Sequence, residues 1–433
     1  MSSGLPQSLN AFASWLSGST IAWWAVGFYF LYGVLSSVQL LLWVLTGVSV
    51  LCFLRYGSAW LRAPGVKDYG ILIACWVIPG ALSCLDAVNP DTTLSTLGRL
   101  AAYGAMGLCL LRLQITHRQW PGTVLVLAGL LAAWSLDGLI QAIFGTSLSG
   151  YPLSGVLPEG PKVTGSMGLD YGITLAILSP VLFEAVRLHG SQRVSVWVAL
   201  VLTTVAVALS ASRYSVLLFL FSGFLCLLLS IRLRRHATYM ALLVTFAVCL
   251  AGVLLPTLLV PTLAERADLV MNGIVFEWDD LNQGLAFRPE LWRAGWQVFS
   301  EHWINGVGLR GAPLALQPLL LDSPDFPAVL QARLWHPHLG ILEVMVDTGL
   351  IGLAAYLFML VFLVRLILKG LRADCSQAVV FATIALLACL PVASTTSIYS
   401  FSLGSSAWPA LAFAVAALSR CTSDADEQQA DSP

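Results

Sequence analysis

Apolar residues in this chain gather into long unbroken runs separated by polar breaks. Twelve such runs lie near residues 20–36, 38–54, 69–88, 94–111, 122–144, 171–187, 194–210, 214–231, 238–259, 339–368, 376–393 and 403–419. A bilayer core about 30 Å thick is crossed by roughly 20 apolar residues in helical form. Inside hydrocarbon the backbone must satisfy its own hydrogen bonds, which a helix does and an open strand does not. Strands of a membrane barrel alternate apolar and polar positions over about ten residues, and these runs do not alternate. The pattern predicts an all-α polytopic membrane protein whose twelve runs are transmembrane helices. The first two runs are short, and a re-entrant pair is the alternative to two crossings.

Composition narrows the choice further. Of 433 residues, 58% are apolar and 10% charged, against roughly 25% charged in a soluble globular domain. Too little polar surface remains for a water-soluble enzyme of this length. The formal net charge is −1, so no basic surplus exists to hold a phosphate backbone, and nucleic acid is not expected as a partner. Nearly all of the nine cysteines stand in or beside apolar runs, without a C-x-x-C pair, and they read as small packing residues. The first 20 residues carry no Lys or Arg, so no cleavable signal peptide is expected.

Charge sets the orientation, because Lys and Arg concentrate in cytoplasmic loops. With the N-terminus inside and the spans alternating, the inner loops hold 14 cations and the outer side 8. Every short inner loop is basic, from Arg55, Arg62 and Lys67 to Arg365, Lys369 and Arg372. Both termini are therefore placed in the cytoplasm. The division that follows is 1–259 with the first nine spans, 260–338 as an outer loop domain, 339–419 with the last three spans, and 420–433 as a solvated tail.

The segment 260–338 does not read as a plain loop, since a structureless connection of this length is uncommon unless it is functional. It holds five of the fifteen Trp, three of the six His and five of the eight outer cations. Pro289-Glu290 ahead of an amphipathic run to about Glu301 predicts a helix start, with Pro and an acid in the first turn. Thr262 to Asn272 predicts a second helix. The Gly-, Pro- and Ser-rich loop 145–170 is placed to line the same cavity.

Polar groups at membrane depth face a cavity or a partner, so the acids and bases at the outer ends of the spans come first. Arg213, in Ser210-Ala-Ser-Arg-Tyr214, has two readings. It is an interface arginine snorkelling to water, or a guanidinium aimed into an outward-facing cavity, where it grips diphosphate oxygens in a fork and stays charged. Arg288 precedes Pro289, so its backbone is expected to be extended. The free amides of the helix that follows add positive potential, and together they make an anion site. Arg266 and Arg310 are further substrate-binding candidates, although solvation alone accounts for loop arginines, Arg293 and Arg333 included.

His336-Pro337-His338 stands just before the run 339–368. Pro337 in the first turn puts His338 at a helix N-terminus, where imidazolium is disfavoured. A neutral imidazole is what a general base needs; an interfacial histidine bonded to backbone is the alternative. Asp322, Asp325 and Glu343 do not complete a metal-ligand spacing with these histidines, and neither metal nor cofactor is expected. Gly306, Gly308 and Gly311 form a literal G-x-G-x-x-G. No strand-turn-helix unit surrounds it, so a dinucleotide site is rejected in favour of a tight turn or close backbone approach. Trp278-Asp-Asp280 reads as a solvated turn. Glu343 and Asp347 share one helical face, placed to orient a histidine or an arginine or to pair within the bundle. No P-loop or Ser/His/Asp grouping is visible.

Arg288-Pro-Glu-Leu-Trp-Arg-Ala-Gly-Trp296, Asn305-Gly-Val-Gly308, His336-Pro-His338, Glu343 and Asp347-Thr-Gly-Leu-Ile-Gly352 resemble the O-antigen ligase / O-antigen polymerase superfamily. Arg213 in its Ser-Arg setting is similar to an arginine that family carries after an earlier span. Thr164-Gly-Ser-Met-Gly-Leu-Asp170 resembles its Gly-rich loop loosely. The likeness covers 145–352 in pieces, and 288–352 is its specific part. Leu339 departs from the asparagine that often follows the second histidine there. The resemblance implies a GT-C-type glycosyltransferase of the bacterial inner membrane, working on the periplasmic face. It would move a glycan from undecaprenyl diphosphate to a sugar hydroxyl of lipid A–core, without metal or ATP. On that reading Arg213 and Arg288 hold the diphosphate and His338 is the base. His336, Arg266, Arg310, Trp292 and Trp335 flank the substrate, although the tryptophans fit packing at the lipid interface better. The nearest rival is an O-antigen polymerase using the same donor. A protein O-oligosaccharyltransferase fits less well, as its members usually carry a further C-terminal module. A transporter is the rival from another class, with Asp137, Asp170, Glu184, Arg99 and Glu343 along a pathway, but the charges gather at one face rather than the midplane.

Overall fold

A computed structural model gives the chain as a bundle of helices. It describes residues 38–112, 119–155, 161–190, 192–210, 212–233, 285–327, 335–390 and 396–430, with the single positions 243, 247 and 282. The runs 20–36 and 238–259 (apart from two positions), the helix expected over 262–272, Arg266, Trp278-Asp-Asp280 and Arg333 lie outside the described residues.

The helices are α1 (Val38–Tyr56), α2 (Val66–Leu82), α3 (Pro90–Leu110), α4 (Trp120–Phe144), α5 (Tyr171–Leu178), α6 (Pro180–His189), α7 (Val194–Leu209), α8 (Arg213–Leu233), α9 (Arg288–Glu301), α10 (Ala312–Leu321), α11 (Gly340–Arg372), α12 (Ser376–Ala388) and α13 (Phe401–Ala430). One two-residue antiparallel ribbon pairs Ser154 with Lys162. Among the described residues, five helices are long and apolar enough to cross a membrane, in the regions of α1, α2, α4, α11 and α13. The pair α5–α6, bent by 41°, makes a sixth if it is one broken span rather than a re-entrant loop. The bend falls at Ser179-Pro180, where proline removes a backbone donor and its ring opposes the preceding turn. The chain is thus a helical membrane protein. Helices α3, α7, α8 and α12 coincide with four more of the expected runs but are shorter or less apolar over their described parts.

Lipid tails are as apolar as the side chains, so helix association in a bilayer rests on close packing rather than on transfer from water. The most enclosed helices show how that closeness is reached. In α13, 89% of the membrane-length window is buried, and Ala410, Ala412, Ala414, Ala416 and Ala417 are all buried there. Facing them, α12 buries Ala378, Ala382, Ala385 and Ala388. Small side chains let the two backbones approach. At the periphery the pattern inverts: Leu51 and Leu54 of α1 are 67% and 73% exposed, the surface that lipid covers.

The bundle has two unlike ends. At the basic end, Arg112 donates to the Trp60 carbonyl, His189 meets the Pro121 carbonyl, and Gly65 lies against Val415 and Ser419. Cys375 and Cys421 are joined there by a disulfide across 46 residues of sequence. This corrects the packing reading for those two cysteines. Among the described residues six others are free. The opposite end carries α9, α10 and every motif of the family resemblance, and the site is built there.

Candidate functional site

The first element of the site is an interruption of α11. Gly349 has φ 63° and ψ −160° within an otherwise helical stretch. A Cβ at this position would stand 2.2 Å from the Ile304 carbonyl oxygen, so only glycine fits. The break frees backbone groups, and the turn 303–308 takes them up. Leu350 N–H donates to the Trp303 carbonyl and Ile351 N–H to that of Ile304, while Val307 and Gly308 donate to the carbonyls of Val346 and Asp347. Gly306, with φ 72°, lies so near the Asp347–Thr348 peptide that a Cβ would come within 2.4 Å of it. The glycine motif is therefore a turn inserted into a broken helix, as its close-approach reading expected. Asp347 finishes the insertion. Its carboxylate is fully buried and accepts from Arg310 N–H at 2.7 Å and Ala312 N–H at 2.9 Å, which caps α10.

The second element is the histidine turn. Helix α11 begins at Gly340, and its N-cap is Leu339 with φ −139° and ψ 108°. Pro337 and His338 thus precede the helix, which corrects their expected place in its first turn. The physical reason is local. His338 has φ 53°, a left-handed value incompatible with a right-handed helix, and its N–H donates to His336 Nδ1 at 3.3 Å. The two imidazole centroids are 4.0 Å apart, and Trp335 meets His338 edge-on at 5.6 Å. Glu343 Oε2 is 3.8 Å from His336 Nδ1.

The turn is roofed by a small hydrophobic cluster. Helix α9 starts with Pro289 and Glu290 in its first turn, as predicted. Arg288 is the first residue of α9 itself, which corrects the extended backbone expected ahead of the helix. Leu291, Ala294 and Val298 of α9 pack with Leu316 and Leu320 of α10 and with Leu342 and Val346 of α11. Phe287, next to Arg288, meets the Phe326 ring at 6.2 Å, and Phe326 meets Trp335 at 6.3 Å. The chain of rings runs from the start of α9 to His338. Trp292 and Trp335 pack on this cluster, whereas Trp296 is 59% exposed. Arg310 is exposed, and its backbone rather than its head serves Asp347.

The third element comes from far away in sequence. Glu343 accepts from Ser397 Oγ and from Ile398 N–H, 3.0 Å away. Asp170 accepts from the hydroxyls of Thr396 and Ser402. Arg99 of α3 donates to the Tyr399 carbonyl at 2.8 Å. Two carboxylates and a guanidinium therefore hold the segment 396–402 against the histidine turn. Burial pushes the Tyr399 phenol well above its usual range, and the Asp347 and Glu343 charges push the same way. It stays a neutral hydroxyl and cannot act as a base near neutral pH. The loop 145–170 is stapled to α4. Asp137 accepts from Leu148 N–H and from Ser166 N–H and hydroxyl, and Gln141 accepts from Thr164 and Gly165 N–H.

Asp170 precedes Tyr171 and Gly172, and Gly172 lies against Ser210 and Ser215. The start of α8 at Arg213 is thus beside the same end, while the Arg213 side chain lies outside the described residues. His336 lies against both His338 and Glu343, and Arg288 follows Phe287 at the far end of the ring chain. Arg293 is 72% exposed and 4.0 Å from Glu290. Thr396, Ser397 and Ser402 are the residues missed in the sequence. Arg99 appeared there only as a pathway charge, and Asp170 as that and as the end of the Gly-rich loop. No local pattern marks them, because each acts across 54 or more residues of chain. Among the described residues no group of three His, Cys, Asp or Glu is arranged to hold a metal ion.

The comparison with known families meets this end of the bundle. Residues 198–357 match the sequence model of a family described as O-antigen ligase. That stretch runs from α7 through α9, α10 and the histidine turn to beyond the break at Gly349, and the match supports the superfamily that the motifs resemble. No curated protein matches the chain.

Proposed function

We propose that the chain is an O-antigen ligase of the bacterial inner membrane, a GT-C-type glycosyltransferase acting on the periplasmic face with both termini in the cytoplasm. It moves a glycan from undecaprenyl diphosphate to a sugar hydroxyl of lipid A–core. The observation that carries this reading is the His336-Pro337-His338 turn at the end of a membrane-length helix, inside the family-matched stretch and under α9. A lipid-linked donor needs an apolar flank beside fixed polar groups at the membrane surface, and this end of the bundle has both.

In the proposed reaction His338 takes the proton of the acceptor hydroxyl. The acceptor oxygen attacks the anomeric carbon in line as the bond to the diphosphate oxygen breaks, and the configuration inverts. Arg213 and Arg288 take up the charge gained by the departing diphosphate. General-base help is worth roughly 10²–10⁴-fold in rate. The diphosphate is already an activated leaving group, so neither ATP nor a metal ion enters the step. Arg266, Arg310, Trp292 and Trp335 flank the substrates.

The test is transfer in detergent from a lipid-diphosphate glycan to purified lipid A–core, with His338→Ala beside it and EDTA in one arm. Product with the wild type and its loss in the variant are expected, unaffected by EDTA. No product overturns the reading, and loss in EDTA with recovery on a divalent cation overturns its metal-free chemistry. A lipid-linked glycan offered as acceptor separates ligase from polymerase. In cells lacking the protein, a ligase leaves long lipid-linked polymer, whereas a polymerase leaves single repeats on the core.

A further inference from the structure

His338 is held in a backbone conformation that an L-residue with a bulky side chain rarely adopts, φ 53°. Such a conformation persists only where the surroundings over-determine it. The structure supplies two restraints from one neighbour. The His338 N–H donates to His336 Nδ1 at 3.3 Å, and the His336 ring lies 4.0 Å, centroid to centroid, from the His338 ring. Pro337 between them has its φ fixed by its own ring, which keeps the turn short. The bond needs a lone pair on His336 Nδ1, which the Nε2–H tautomer supplies. The Glu343 carboxylate is 3.8 Å from the same nitrogen, beyond hydrogen-bond reach, and is itself tied to Ser397 and Ile398.

We propose that His336 is a positioning residue for His338: its Nδ1 lone pair and its ring face fix the aim of the second imidazole. This rests on the reading of His338 as the base, and it changes the part expected of His336 from touching substrate to holding its neighbour. The acceptor hydroxyl must meet an imidazole nitrogen within about 3 Å. A displacement of about 1 Å costs on the order of 10²-fold in rate. Removing the lone pair lets the turn relax out of the left-handed region and swings the ring away.

Four variants of the full chain decide the matter in the transfer assay. His336→Leu has no acceptor. His336→Gln places its oxygen where Nε2 was, too far along the side chain. His336→Asn places its oxygen near the Nδ1 position and retains the bond. His338→Ala reports on the base. The expected result is kcat lowered on the order of 10²-fold in His336→Leu and His336→Gln, with KM for the donor unchanged and most of the loss recovered in His336→Asn. A rise in KM at unchanged kcat, equal losses in Asn and Gln, or wild-type rates throughout would each overturn the proposal. If His338→Ala keeps full turnover, the fault is instead in the reading of the reaction. A readout without turnover settles the remaining case. In isotope-labelled protein the His336 ring is expected to carry its proton on Nε2 at neutral pH, and an Nδ1–H form overturns the proposal even if no donor is consumed.

Discussion

The first turns of α11 have two neighbours of opposite character. Towards Gly349 lies the inserted glycine turn, held by backbone bonds and by Asp347, whose two partners are both main-chain N–H groups. Towards Gly340 lies the histidine turn, held by side chains, with Glu343 taking a serine hydroxyl and one backbone N–H and facing His336. Glu343 and Asp347 are four residues apart on one helix, yet Asp347 belongs to the frame and Glu343 to the candidate site. Main-chain partners cannot be varied without moving the chain, whereas side-chain partners can be exchanged one at a time. The glycine turn should therefore answer to mutation in stability, and the histidine turn in turnover.

The harshest test of that contrast is Gly349→Val. A β-branched side chain meets both the positive φ and the Ile304 carbonyl at 2.2 Å, strain beyond the roughly 1–3 kcal/mol of an isolated left-handed residue. We expect no monodisperse protein on extraction, measured by size-exclusion chromatography. Next comes His338→Ala, with transfer reduced roughly 10²–10⁴-fold and an unfolding midpoint matching the wild type. Asp347→Ala strands one buried and one part-buried N–H donor at once and should cost roughly 3 kcal/mol, seen as a lowered midpoint; Asp347→Asn, which keeps one acceptor oxygen, should lose about half as much. A wild-type midpoint in Asp347→Ala would break the comparison. The smallest effect belongs to Arg293→Ala. Its head is 72% exposed and 4.0 Å from Glu290, and such pairs contribute about 0–1 kcal/mol, so neither midpoint nor rate should move.

What the sequence disclosed depends on the range over which each contact acts. Pro289 and Glu290 announce α9 because capping and the helix dipole operate within one turn. The apolar runs announce the spans because bilayer thickness imposes their length. The break at Gly349 was hidden. A glycine inside an apolar run looks the same whether or not a distant turn is inserted beside it, and the inserted turn here lies some 40 residues earlier. The position of His338 ahead of the helix was hidden too, since Pro337 fits the first helical turn equally well by local rules. The clasp on 396–402 was beyond reach, with Asp170 and Thr396 separated by 226 residues.

The disulfide is a like case. Cys375 and Cys421 give no spacing signal, and their union sits at the basic end. On the proposed orientation that end faces the cytoplasm, where thiols stay reduced, while a lasting disulfide belongs to an oxidising compartment. In unfolded protein the bridged Cys375 and Cys421 are expected to take up maleimide only after reduction, and labelling without a reductant would overturn the bridge.

Trp296, Trp303 and Ile304 are 59%, 52% and 51% exposed on and just beyond α9. Indole rings prefer the headgroup layer to either oil or water. On the proposed reading they form a float line that sets the height at which α9 rides on the lipid. His338, roofed by that helix, inherits the same draught. A bilayer of shorter acyl chains lowers the waterline without touching the fold, and it should slow turnover while leaving the unfolding midpoint in place.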